Sequence, residues 1–294
     1  MKRSINKLLV FATLLFSCTD KIVEQLPITT NSEKARKHYQ KAREYYLTTD
    51  FPEGWTSLDS ALAIDPNFAM ASLIRWHPDP SIRAKNRKKA YSLISTVSDA
   101  EKYILNANRC KDEGNLDSAL FYIKELVEKY PNSYESYNEL GVIYGSRNEL
   151  KLAEEAFKES IEIYPDNYMA YTYLFGQHVM YGYYDLLPTE ERDVNIGLKY
   201  AEKLIDLKPN SAHGFHAKAN CYRQLGEFEK AIPLYDKSVE LSKGTTAEAS
   251  ENYVSAHNIM FSGDFEKARE RYKQALKVVK DAQTETSIKT FITI

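Results

Sequence analysis

The sequence predicts an all-α protein built from helix pairs that stack one after another. The clearest stretch is residues 134–167, where two amphipathic patterns of about 14 residues flank a polar turn and end at Pro165. The same 34-residue frame fits residues 100–133 without a gap and fits again at 35–68. Small residues, aromatic residues and prolines return at fixed places in that frame. Self-similarity at this period is typical of stacked helical repeats, so we expect a solenoid.

The first 17 residues have the pattern of a secretory signal peptide. Basic residues Lys2, Arg3 and Lys7 precede an apolar run from Leu8 to Phe16. A helix needs roughly 20 apolar residues to span a bilayer, so this run is too short for a permanent anchor.

Residues 15–18, Leu-Phe-Ser-Cys, resemble a bacterial lipobox, although Phe16 replaces the small residue usual at that place. The resemblance implies that the mature chain begins at Cys18, which carries acyl chains that tether it to a membrane. An ordinary secretory signal is the alternative. Thr19 follows the cysteine and Asp20 comes one place late for inner-membrane retention, which favours an outer-membrane lipoprotein facing the periplasm. Residues 18–31 are predicted to be a linker between the membrane and the fold.

Composition limits the classes of partner. Without residues 1–17 the chain keeps 36 basic and 41 acidic residues, a formal charge near −5, which argues against a nucleic-acid surface. Cys110 and Cys221 lie in separate helical patterns, and we expect buried thiols rather than a disulfide.

The helix pairs follow one another along most of the chain. The small residue of each first helix recurs at steps of 34, 31, 34, 34, 44 and 37 residues. The unit at 69–99 is degenerate, because the sequence His-Pro-Asp-Pro cuts its first helix short after Trp76. The unit at 168–211 carries an insertion at 182–192, after which a second helix is expected at 194–207. The predicted units cover 35–68, 69–99, 100–133, 134–167, 168–211, 212–245 and 246–280, with a C-terminal cap or tail at 281–294.

Each recurring residue has a packing reason. Small residues such as Ala107, Gly141 and Ala219 let paired helices cross closely, and aromatic residues fill the space between them. A proline ends the second helix because it removes a backbone donor. Capping boxes are predicted where Ser98 precedes Glu101, Thr30 precedes Glu33 and Thr245 precedes Glu248.

From Ala35 to Lys280 this pattern resembles the tetratricopeptide repeat. The resemblance implies a right-handed α-α superhelix of about six to seven helix pairs, whose first helices line a concave groove. It also implies a scaffold that binds proteins, without catalysis or a cofactor.

Side chains on the inner face of the first helices are the predicted binding groove for a protein or peptide. Aromatic and arginine residues are plausible anchors there, while packing between neighbouring units is the alternative role for each. The predicted groove residues are Arg36, Tyr39, Arg43, Tyr46, Asn108, Asn138, Met169, His216, Asn220, Arg223, Tyr253 and His257.

Motifs for catalysis are absent from the sequence: there is no phosphate loop, nucleophile elbow or paired-cysteine cluster. His213, His216 and His257 could together bind zinc, but such histidines are more often polar packing residues. We therefore predict no enzyme activity, no metal site and no cofactor.

The insertion carries Tyr183 and Tyr184, which either pack on the next unit or face a partner. The leading functional hypothesis is a lipid-anchored cell-envelope scaffold that binds a protein partner. The alternative is a ligand-sensing or glycan-binding lipoprotein of a nutrient-uptake system, in which these tyrosines stack on sugars.

Overall fold

The computed structural model describes residues 23–47, 51–179 and 187–279, together with Lys289. Within those ranges the chain forms α-helices, turns and two single 3-10 turns, and no strand. This confirms the predicted all-α class. The helices are α1 Glu33–Leu47, α2 Phe51–Ile64, α3 Ala69–Ile74, α4 Pro80–Ser92, α5 Asp99–Asp112, α6 Leu116–Lys129, α7 Tyr134–Ser146, α8 Leu150–Ile163, α9 Tyr168–His178, α10 Val194–Leu207, α11 Ala212–Gln224, α12 Phe228–Ser242, α13 Glu248–Phe261 and α14 Phe265–Val278.

Each odd-numbered helix packs against the even-numbered helix that follows it. The pairs then stack in chain order, with α6 on α7, α8 on α9, α10 on α11 and α12 on α13. The described residues thus form seven helix pairs, as the repeat frame predicts. No helix in the described ranges is both long enough and apolar enough to cross a membrane.

Small residues are buried where paired helices cross. Ala107, Ala153 and Ala219 are almost completely inaccessible to solvent. At Gly141 an added Cβ would lie 2.6 Å from the ring of Phe157, so only hydrogen fits between α7 and α8 there. The recurring small residues are therefore set by helix separation, as expected.

The turn inside several pairs needs a residue with positive φ. Gly114, Gly226 and Gly263 occupy it with φ of 77°, 76° and 93°. Asn148 takes the equivalent place between α7 and α8 with φ of 60°. Glycine adopts this conformation without a steric penalty, and asparagine is among the residues that tolerate it best.

The second pair is irregular, as the prolines predict. α3 has only six residues and ends at Ile74, two residues before the predicted end at Trp76, and α4 starts at Pro80 with Asp79 as its N-cap. Trp76 lies outside both helices and stacks on Trp55 of α2 with a centroid distance of 4.8 Å. Proline is tolerated at the first helical position because that amide has no intrahelical partner.

The fifth pair resumes the repeat after its insertion. Leu187 is buried, and its N–H donates to the Gln177 carbonyl at 3.0 Å, which returns the chain to the end of α9. α10 then spans Val194–Leu207, the range that the frame predicts.

Of the predicted helix caps, one is formed. The side chain of Ser98 accepts from the Glu101 N–H, and the Glu101 carboxylate accepts from the Ser98 N–H. At α1 the cap is Ser32, whose hydroxyl accepts from Ala35, because Thr30 instead donates to Asp65. At α13 the Glu248 carboxylate accepts from the Gly244 amide, so the predicted box with Thr245 is wrong. Cys110 and Cys221 are free and buried, as expected.

Candidate peptide-binding surface

The first helices of the pairs face one another across the inside of the solenoid. Nη1 of Arg43, on α1, lies 2.7 Å from Oε1 of Glu135, on α7. Leu47, at the end of α1, packs on the apolar cluster around Tyr168 and Phe175 of α9. Because α3 and α5 lie between α1 and α7 in chain order, these contacts join first helices that are not consecutive.

An extended segment ahead of α1 lies along the N-terminal ends of the first helices α5 and α7, at the edge of the inner face. We call residues 23–31 the N-terminal strap. Leu26 is 8% exposed and belongs to the apolar core of the first four pairs, and Ile28 packs against the same core. Val23, Gln25 and Pro27 alternate with them and are exposed. This period of two is that of an extended chain with one face buried.

The strap is bound chiefly through its backbone. The Leu26 N–H donates to Oε2 of Glu135 at 3.1 Å, and the Thr29 N–H donates to Oε2 of Glu101 at 2.9 Å. The Glu24 N–H donates to the Asn132 carbonyl at 3.1 Å.

Further bonds reach the strap from the first and third pairs. The Ser98 hydroxyl donates to the Pro27 carbonyl at 2.8 Å, and Nη1 of Arg36 donates to the Ile28 carbonyl at 3.0 Å. The part of the predicted linker that the structure describes, residues 23–31, is thus packed against the repeats rather than separate from them. The backbone hydrogen bonds of the strap and the burial of Leu26 hold these residues against the repeats.

The four predicted groove residues of α1 mostly make internal contacts. Tyr39 is 3% exposed and its ring centroid lies 4.9 Å from that of Phe68; burial raises the pKa of its hydroxyl to about 12. The Tyr46 hydroxyl donates to the Ile74 carbonyl at 3.3 Å. Arg43 pairs with Glu135 and Arg36 binds the strap. All four side chains thus contact other parts of the protein and stabilise its packing.

Asn138 is buried within a polar cluster that joins three helices. Its Oδ1 accepts from the Ser160 hydroxyl of α8 at 2.8 Å and from Nδ2 of Asn167 at 2.9 Å. Asn167 in turn caps α9. With 4% of its surface exposed, Asn138 connects the fourth and fifth pairs and is not presented to a partner.

A second buried cluster joins α11, α12 and α13. Nδ1 of His216 donates to Oε2 of Glu251 at 2.6 Å, and the Ser238 hydroxyl donates to the same oxygen. Burial raises the pKa of the Glu251 carboxyl, but His216 and Ser238 outweigh it, so the pKa lies below its ordinary value. Nearby, the Tyr235 hydroxyl donates to Oδ1 of Asn220 at 2.7 Å. His216 thus connects neighbouring pairs through Glu251, and Asn220 connects the two helices of its own pair.

The other predicted groove residues are partly accessible. Asn108 accepts from Arg87 at 3.3 Å and donates to the Ile104 carbonyl. His257 packs edge-on against Tyr253, with a centroid distance of 4.3 Å. The half-buried residues among them are Asn108, Met169, Arg223, Tyr253 and His257.

The three histidines weighed as a metal site have separate partners. Nδ1 of His213 lies 2.8 Å from the Tyr168 hydroxyl, His216 is bonded to Glu251, and Nδ1 of His257 lies 3.0 Å from the Tyr253 carbonyl. In the part of the chain that the structure describes, no group of three or more His, Cys, Asp or Glu side chains has the arrangement of a metal site.

An open pocket of about 350 Å³ lies where α10 meets α11 and α12 meets α13. Lys208, Ser211, Thr245 and Glu251 are among its lining residues. The predicted lipidation site Cys18 and the insertion residues Tyr183 and Tyr184 lie outside the described residues.

Sequence reasoning missed Glu101 and Glu135 as contact residues. Both precede the small residue of their helix, Ala107 or Gly141, by six places, and they are 34 residues apart. An acidic residue recurring in one repeat position on the inner face was a signal in the sequence. The amides that these carboxylates accept belong to the strap, and only the tertiary structure shows where the strap lies.

Stacked helix pairs define a helical-repeat protein. Comparison with known sequences is more specific. Models of the tetratricopeptide repeat match residues 134–167 and 209–281, so the chain contains tetratricopeptide repeats. Proteins with these repeats mediate protein–protein interactions.

Curated relatives are distant and longer. The chain is 20% identical over 137 residues to mouse mitochondrial import receptor subunit TOM70, covering 47% of this chain and 21% of that one. It is 24% identical over 178 residues to a TPR repeat-containing protein of Methanocaldococcus jannaschii, covering 60% and 29%. The chain thus matches about a fifth to three tenths of the length of these relatives.

Solved structures share the fold. MamA residues 41 to the end from Desulfovibrio magneticus RS-1 superimpose with a TM-score of 0.50 at 18% identity, covering 62% of this chain and 95% of that one. A MamA RS-1 double mutant gives 0.51 at 17% identity, covering 66% and 98%. At these identities the likeness concerns the solenoid alone.

Proposed function

We propose that this protein is a lipid-anchored scaffold of the bacterial cell envelope that binds a protein partner along its inner face. The observation that carries the proposal is the strap, an extended peptide bound at the edge of that face by Glu101 and Glu135. A surface that already binds one extended segment has the donors, acceptors and apolar sites needed to bind another.

The anchoring part of the proposal rests on the sequence. Residues 15–18 resemble a lipobox, and a cleaved chain would begin at Cys18, five residues before the strap. Several acyl chains on that residue would give a stable tether to the outer membrane. The scaffold would then face the periplasm, close to the lipid surface.

The binding part is supported by the relatives. Tetratricopeptide repeats cover residues 134–167 and 209–281, and TOM70 is by its name an import receptor subunit. We expect the partner to contact half-buried residues of the inner face, such as Met169 and Arg223, rather than the outer faces of the second helices.

Position-specific photo-crosslinking in cells tests the scaffold role. A photoreactive residue replaces Met169 on the inner face, and matched chains carry it at Phe121 or Leu152, which are 59% and 41% exposed on second helices. We expect one or a few discrete adducts from position 169 only. Identical adducts from all three positions, or none from 169, would refute binding along the inner face.

Anchoring is tested separately by the variant Cys18→Ala. The native chain should fractionate with the outer membrane and its N-terminal peptide should carry acyl chains by mass spectrometry, while the variant should not be acylated. An N-terminus other than Cys18 in the mature native chain would contradict the anchor.

A further inference from the structure

Two carboxylates at the same repeat position bind the strap in the same way. Glu101 of α5 and Glu135 of α7 are 34 residues apart, one full repeat. They accept the backbone N–H groups of Thr29 and Leu26, which are three residues apart. One step along the solenoid therefore corresponds to three residues of the bound chain.

The spacing of the two amides along the strap follows from the geometry of an extended chain. Three residues of extended chain span about 10 Å, at 3.3–3.6 Å each. Glu101 on α5 and Glu135 on α7 accept amides at this separation, although α6 is the helix that packs on both α5 and α7. Consecutive first helices can thus bind every third amide of an extended peptide, and this contact is independent of the side chains that the peptide carries.

Side chains of the strap add a second element of recognition. Leu26 and Ile28 face the apolar core, and the exposed Pro27 lies between them. The Pro27 and Ile28 carbonyls accept from Ser98 and Arg36. Proline favours the extended conformation and reduces the entropy lost on binding.

Glu101 depends on a bound amide. It is 1% exposed; Oε2 accepts from Thr29 as well as from Ser98, while Oε1 is buried without a hydrogen-bond partner. A buried carboxylate that loses a donor is costly. Departure of the strap therefore favours its replacement by another peptide with amides in the same places.

We propose that the strap is a ligand bound in cis, and that the surface it covers binds an extended partner segment with apolar residues on both sides of a proline. The strap and the partner segment would then exclude each other. This inference rests on the proposed function, because it names the kind of segment that the inner face binds.

Peptide binding to the purified full chain tests the inference. The probe is a fluorescein-labelled peptide with the sequence of residues 23–31 and an amidated C-terminus, followed by anisotropy. In the chain Leu26→Pro/Thr29→Pro both donated amides are absent, so the strap should dissociate. In the control Val23→Pro/Gln25→Pro the altered residues are exposed and donate no hydrogen bond to any described residue.

We expect the released chain to bind the probe at least tenfold more tightly than the native and control chains. Hydrogen exchange of residues 23–31 should rise in the released chain only, with helicity unchanged by circular dichroism. Adding Glu101→Gln and Glu135→Gln to the released chain should weaken probe binding about tenfold, because charged acceptors form the stronger bonds.

Several results would overturn the inference. A released strap without probe binding would make the strap a structural brace. If residues 23–31 of the Leu26→Pro/Thr29→Pro chain stay protected from hydrogen exchange, the two amides do not hold the strap. If adding Glu101→Gln and Glu135→Gln leaves probe binding unchanged, the carboxylates do not contribute to recognition. If crosslinks from position 169 persist in these cases, the proposed function stands and only the inference fails.

Discussion

Replacing Gly141 with alanine tests whether helix separation determines the small residues of this fold. The new Cβ would lie 2.6, 2.7 and 2.8 Å from three ring carbons of Phe157. Phe157 is 1% exposed and stacks on Tyr173 at a centroid distance of 4.7 Å, so the ring cannot move freely. Over-packing of a dense core costs about 1–3 kcal/mol.

Gly145 provides a matched control in the same helix. An added Cβ at Gly145 meets no atom within 4 Å. Exchanging glycine for alanine inside a helix stabilises it by about 0.8–1.0 kcal/mol, and that gain applies in both variants. The difference in unfolding free energy between Gly141→Ala and Gly145→Ala is therefore the over-packing cost, roughly 1–3 kcal/mol.

Urea denaturation followed by circular dichroism measures the difference. Gly145→Ala should be as stable as the native chain or more stable, and Gly141→Ala should be less stable than Gly145→Ala by that margin. Adding Phe157→Leu to Gly141→Ala should recover part of the loss by making room. Equal stability of the two single variants would refute the packing argument.

Three further predictions concern titration, the turn and the thiols. Burial lowers the pKa of His213 to about 4, below the 6.5 of the unfolded chain, so the unfolding free energy should fall by about 3 kcal/mol from pH 6.5 to 4; His213→Gln should lack this component in urea titrations at each pH. Asn148→Gly should match or exceed native thermal stability, whereas Asn148→Val should lose about 1–2 kcal/mol because φ is 60°; equal melting temperatures would contradict this. Burial raises the pKa of the Cys221 thiol to about 12, so maleimide labelling at pH 8, mapped by mass spectrometry, should modify Cys221 only after unfolding.

Much of the architecture was predictable because each repeat carries its own local signals. The second helix after the insertion begins and ends at Val194 and Leu207, as the frame indicates, and the first helix of the second pair is short, as the His-Pro-Asp-Pro sequence indicates. The capping box of Ser98 and Glu101 was also visible, since it needs only residues three apart. Caps at α1 and α13 were missed, because the polar groups near them find partners elsewhere, such as Asp65 for Thr30.

The sequence by itself determined the helix pairs, because amphipathic period, small residues and turn prolines act within about 34 residues. Only the tertiary structure decided which inner-face residues are accessible. Tyr39, Asn138 and His216 share the repeat position expected of groove residues, yet each is buried by contacts with neighbouring helices that form only when the repeats pack. The strap likewise lies on Glu101 and Glu135, more than 70 residues ahead, and that contact exists only once the repeats have stacked.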